Sequence, residues 1–149
     1  MAGNIRRNDG FSLIEILVAL TILAVGLLAL ALLQVTAIKG NAVAAKWTVA
    51  TGHAQDRLER FRHVDWDNIV SSASGGFDSG TMTPRYANLP GSAGDSVNIR
   101  GTAYHRVWYV VSNPTDTLKT ITVWCCWQDD RLNWHNVMLL AQRSNISGI

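Results

Sequence analysis

The 149 residues include only two cysteines and three prolines. The cysteines, Cys125 and Cys126, are adjacent, and adjacent residues cannot staple distant parts of a fold. A bond between them would be strained, because neighbouring Cα atoms sit about 3.8 Å apart, below the usual disulfide range. There is therefore no disulfide framework, and the count sets no redox compartment. No proline occurs before Pro84, so none interrupts the first half of the chain. Charge is balanced to a net +2, without the one-sided basic stripe that a nucleic-acid footprint needs. No Ser/His/Asp order, glycine-rich phosphate loop or pair of catalytic carboxylates stands out. His53, His63, His105 and His135 show no HxxxH or HxH spacing. Asp129, Asp130 and Asn133 fall short of the roughly six oxygens that calcium takes and suit a plain turn. The expectation is no enzyme, no cofactor and no metal.

What the chain does have is one long apolar run. From Ile16 to Leu33, 18 residues, nothing is charged and only Thr21 is polar. That is the lower edge of what spans a bilayer as a helix. It exceeds the roughly 7–15-residue core of a secretory signal peptide, and it carries Glu15 at its start. An ordinary single-pass anchor accounts for the length. Arg6 and Arg7 would then hold the N-terminus in the cytoplasm. Such an anchor leaves Glu15 without a reason, since a carboxylate costs about 2.5–3.5 kcal/mol at the centre of a membrane helix and less near its end.

Gly10-Phe11-Ser12-Leu13-Ile14-Glu15, after a short leader with two arginines, resembles the class III signal of type IV pilins and type II secretion pseudopilins. The resemblance implies that a membrane-embedded prepilin peptidase cuts between Gly10 and Phe11 on the cytoplasmic side, and that Phe11 is then N-methylated. Glycine suits a cut site because it offers the protease cleft a backbone without a side chain. The resemblance also gives Glu15 a role, pairing with the N-terminal amine of a neighbouring subunit. A buried pair of opposite charges is tolerated where a lone one is not.

One helix is expected from Phe11 to about Arg62, on the order of 75 Å long, with its transmembrane part at about 11–38. Trp47, Ala50, Ala54, Leu58 and Phe61 recur at spacings of three or four, an apolar stripe for a sheet to cover. Where many major pilins have a proline, this chain has leucines, and Gly26 is the weak point of the run. Gly26–Gln34, Asn41, Ala42 and Leu58–Arg62 resemble PilV-type minor pilins.

Residues 63–103 hold most of the turn formers and read as an irregular connection, with a short strand near Val97–Arg100. The run Ser71–Gly76 reads as excluded from any core. Residues 104–149 alternate at period two in three strands, Tyr104–Ser112, Leu118–Gln128 and Trp134–Gln142, joined by turn residues. Short links favour an antiparallel meander. Cys125 and Cys126 fall on opposite faces, one as a small buried filler and the other as a free thiol. The fold class is α+β, a long N-terminal helix packed on a small antiparallel β-meander, as in type IV pilins.

The expected organisation is a cleaved leader 1–10, a helix 11–62, a connection 63–103 and a sheet 104–149. By resemblance the chain is a minor pilin that enters or primes a type IV pilus. Its partners are prepilin peptidase, other major and minor pilin subunits through the N-terminal helix, and the inner membrane, with no nucleic acid. Its C-terminal domain is periplasmic before it joins the pilus. The alternatives are a minor pseudopilin of a type II secretion system and, in another class, a single-pass membrane protein with a ligand-binding outer domain.

Overall fold

The computed structural model describes residues 11–72, 76–78, 83–89 and 94–145. One helix, α1 (Leu13–His63), precedes four strands: β1 (Asp95–Ile99), β2 (Thr102–Ser112), β3 (Leu118–Gln128) and β4 (Trp134–Ser144). With no proline in it, α1 runs past Gly26, Gly40 and Gly52 without a break. The chain forms two compact units, residues 1–43 and 44–149. The first unit is helix from Leu13 onward, and its described side chains are exposed.

In the second unit the strands lie in the order β1-β2-β3-β4, every neighbour antiparallel. The strand expected near Val97–Arg100 is found as β1, and it makes the sheet four-stranded. Arg100 and Gly101 close the β1–β2 hairpin with φ of 50° and 83°, the two left-handed residues of a tight hairpin turn. Asn98 Oδ1 accepts the Gly101 amide there at 3.1 Å. Between β2 and β3, Asn113 Oδ1 accepts the amides of Thr117 and Leu118.

The apolar stripe of α1 packs on one face of the sheet. Ala50, Ala54 and Phe61 are buried there with Tyr104, Trp108, Ile121, Val123, Cys125 and Trp127, and Leu58 packs beside them. Each large side chain taken fully out of water contributes about 1.5–3 kcal/mol. Trp47 is 42 % exposed and joins by an edge-on contact with Trp127, centroids 5.0 Å apart.

The opposite face is covered in part. Val107, Trp124 and Cys126 are buried under Phe77, Tyr86 and Leu89 of the connection. Both thiols are free and both are buried, one on each face.

The serine-rich run departs from expectation, because Ser72 is buried. β1 pairs with β2 only as far as Arg106, so the edge of β2 beyond it needs other partners. Ser72 Oγ accepts the Trp108 amide at 3.1 Å and donates to the Trp108 carbonyl at 3.0 Å. Ser71 Oγ accepts the Val110 amide at 2.9 Å. A serine reads as loop in a sequence, yet its hydroxyl can replace a missing strand.

Candidate functional site

The expected processing and assembly residues lie at the start of α1. Gly10 and the leader 1–10 lie outside the described residues. Phe11 is 80 % exposed just ahead of the helix. The Ser12 carbonyl accepts the amides of Glu15 and Ile16 at 3.0 and 3.3 Å and so starts the first turn. Glu15 sits in that turn, where the helix dipole favours a carboxylate. Among the described residues, no side chain bonds or pairs with it. Phe11, Glu15, Ile16, Ala19, Leu20 and Leu23 line one shallow groove. An amine on Phe11 would lie one turn from Glu15 of the same chain.

Above Glu15 the helix is apolar all round. Ile16, Leu20, Leu23, Leu27 and Leu30 are all more than half exposed, so no core among the described residues receives them. The polar exception, Thr21, donates its hydroxyl to the Val18 carbonyl at 2.7 Å, which satisfies it within the helix. Among the described helices, α1 alone is long and apolar enough to cross a membrane, by length and composition.

The second unit holds a different set of charges, and several of them are committed to the fold. Arg106, buried on β2, makes a two-pronged bond to Asp95 (2.6 and 2.8 Å). It also donates to Asp56 at 3.0 Å and to the His53 carbonyl at 3.1 Å. One guanidinium thus ties α1, β1 and β2 together. The bond from Arg106 holds the Asp56 carboxyl below its ordinary range. Burial works against the charge of Arg106, but Asp95 and Asp56 outweigh it and hold the group above its usual value. Beside it, the Arg57 guanidinium lies 3.7 Å over the ring of Trp108. Lys119 donates to the carbonyls of Trp66 and Ile69. Arg143 donates to those of Phe61 and Val64, which closes the end of α1.

These tie residues, Arg106, Lys119 and Arg143, were not identified from the sequence. The available signal was a cation at an inward position of an apolar, alternating strand. Asp129 is also committed: it accepts the amides of Arg131 and Asn133, both at 2.8 Å, and lies 3.0 Å from His135 Nε2. His135 and the Asn133 amide hold its carboxyl below the usual range. Asp130 pairs with Lys46 at 3.0 Å. Among the described residues, no three His, Cys, Asp or Glu side chains converge as a metal site would need.

The distinctive surface is therefore the first turn of α1 and the apolar helix above it. Residues 5–31 match the family model described as the prokaryotic N-terminal methylation motif. The chain carries a type IV pilin-like class III signal. That match starts at Ile5 and covers Gly10–Glu15 and most of the apolar run, the region where, among the described residues, Phe11 and Glu15 are uncommitted. Behind the signal stands the α+β arrangement of a pilin-like protein, a long N-terminal helix packed on a four-stranded antiparallel sheet. Among curated proteins and solved structures, none matches the chain.

Proposed function

We propose that this chain is a PilV-like minor pilin that enters or primes a type IV pilus. Prepilin peptidase cuts between Gly10 and Phe11 on the cytoplasmic side, Phe11 is N-methylated, and the second unit lies in the periplasm. In the assembled state Glu15 pairs with the amine of a neighbouring subunit, and the apolar helix that crossed the inner membrane packs among other pilin helices. The observation that carries this reading is the methylation motif across residues 5–31, set on a helix whose apolar surface has no cover among the described residues. An amine and a carboxylate brought together in an apolar bundle neutralise each other, whereas either alone bears a desolvation cost of several kcal/mol.

The test is expression with and without prepilin peptidase. Removal of ten residues from a 16.3 kDa chain takes off about 1 kDa, visible by mass spectrometry together with a methyl group on Phe11. An unchanged mass overturns the reading. Glu15→Ala is expected to be cut normally and to fail in assembly; normal fibres from that variant would remove the pairing role. Deletion of the gene should abolish piliation. If it abolishes protein secretion instead, the chain is the pseudopilin of a type II system.

A further inference from the structure

Three rings meet where the β3–β4 turn comes up against α1. The imidazole of His135 lies nearly parallel to the Trp127 indole, with centroids 5.6 Å apart and 26° between the planes. It also meets Trp47 of α1 at 6.2 Å. Its Nε2 lies 3.0 Å from Asp129 Oδ2. An ionised carboxylate only accepts, so Nε2 carries the proton of that bond. Asp129 also shapes residues 129–133. Its Oδ1 accepts the Arg131 and Asn133 amides, and Leu132 is held at a φ of 63°, uncommon outside glycine. Asp130 ties the same turn to Lys46 of α1. His135 thus joins turn, sheet and helix at one point.

One proton changes what that point is worth. A neutral imidazole gives Asp129 an ordinary hydrogen bond. An imidazolium gives it an ion pair and sets a cation against the Trp127 ring as well. The two side chains are 36 % and 29 % exposed, so salt and water screen them less than on open surface. Asp129 is held below the usual carboxylate range by His135 and the turn amides, and it stays charged wherever histidine titrates. The titratable groups on the elements packed around the ring are Lys46 and His53 of α1, Tyr104 of β2, Cys125 of β3, and Asp129, Asp130 and Arg131 of the turn. Burial raises Tyr104 and pushes Cys125 up to about 12, so both are neutral near neutral pH. Lysine, arginine and aspartate side chains keep their charge there. That leaves the two histidines, of which His53 packs on the Tyr104 ring.

We infer that His135 is an acid-set latch: on taking a proton it locks the β3–β4 turn onto α1, and the second unit is more stable just below neutral pH than above it. The pair contributes fully below the ordinary histidine value of about 6.5 and above the ordinary carboxylate value of about 3.9. It weakens as pH rises and the ring gives up its proton, and again as pH falls toward the depressed value of Asp129. The latch lies wholly within the second unit and does not depend on the pilin reading.

The experiment is urea unfolding of the full chain in mild detergent, followed by tryptophan fluorescence at about pH 5.5 and about pH 8, on either side of the histidine value. The chains are the wild type, His135→Gln, Asp129→Asn and the double variant. Glutamine keeps a donor for Asp129 but takes no proton, and asparagine keeps an oxygen for the turn amides but loses the charge. The folded-to-unfolded ratio of the wild type over that of His135→Gln should be about fivefold larger at the acid pH than at the basic one. In the Asp129→Asn background the same comparison should lose most of that gain. His53 is present in all four chains and cancels. One pH profile shared by the wild type and His135→Gln overturns the inference, as does a gain undiminished without the Asp129 charge. If Asp129→Asn fails to fold, the wild type against His135→Gln decides alone.

Discussion

Replacing Arg106 by methionine keeps most of the side chain's volume and removes its charge. Asp95 then loses two hydrogen bonds, Asp56 loses one, and the His53 carbonyl loses its side-chain donor. Removing one partner of a buried ion pair costs about 3–5 kcal/mol when the other stays buried. Here Asp95 and Asp56 are 35 % and 49 % exposed and can recover water, so the expected loss is about 2–3 kcal/mol. For a unit of this size that lowers the midpoint by about 10 °C or more. All six tryptophans lie at or beyond Trp47, so intrinsic fluorescence of the intact chain in mild detergent reports on the second unit alone. Urea titrations of the wild type, Arg106→Met and Arg106→Lys measure the effect. Lysine should recover only part of it, because an ammonium cannot make the two-pronged bond. The acid limb adds a second reading. The folded-state pKa of Asp56 is depressed, so its stabilisation is present above the unfolded carboxylate value of about 3.9 and is lost as pH falls through the lower folded value. That limb should flatten in Arg106→Met. A loss below about 0.5 kcal/mol would refute the view that Arg106 ties β1 to the helix, since ordinary surface changes fall within that range.

Gly94→Ala should cost more than about 2 kcal/mol in the same titration, because φ is 82° and an added Cβ would lie 1.8 Å from the Arg106 carbonyl oxygen; a neutral outcome would mean that β1 enters the sheet by another path. Burial pushes the Cys125 and Cys126 thiols up to about 12, so neither should react with a thiol reagent at pH 8 until urea unfolds the unit. Rapid labelling of the folded chain would show that one face of the sheet is open.

The sequence makes the helix and the alternating strands legible because both are periodic. A stripe at three and four residues from Trp47 to Phe61 has one structural reading, and alternation with aromatic and β-branched residues has another. Coverage of the second sheet face is not legible in that way. Phe77, Tyr86 and Leu89 are scattered among turn formers, and their burial depends on a tertiary path that no local pattern encodes. Ser71 and Ser72 show the same limit: their hydroxyls act as strand partners only because β1 is shorter than β2. Arg106 was visible as an oddity, a cation among inward aromatics, but Asp95 and Asp56 are 11 and 50 residues away. The signal at Gly10–Glu15 is legible for a different reason. A processing enzyme reads a short linear segment, so the information is local by necessity.

The two units also differ in how completely they satisfy themselves. In the second, Arg106, Lys119, Arg143 and Asp129 each have their bonds within the chain, one sheet face is covered by α1, and the other is covered over Val107, Trp124 and Cys126. In the first, Glu15 has no partner among the described residues, and the leucines above it face outward on every side. A carboxylate beside such a surface is stable in hydrocarbon only with a cation brought to it. Lipid covers the leucines but supplies no such cation in the apolar layer. In the proposed assembly, a neighbouring chain cut at Phe11 would supply both an apolar helix and an amine at the matching depth. The unmet requirement thus lies in the segment that carries the processing signal, which is why cutting and assembly are assigned to one stretch of sequence.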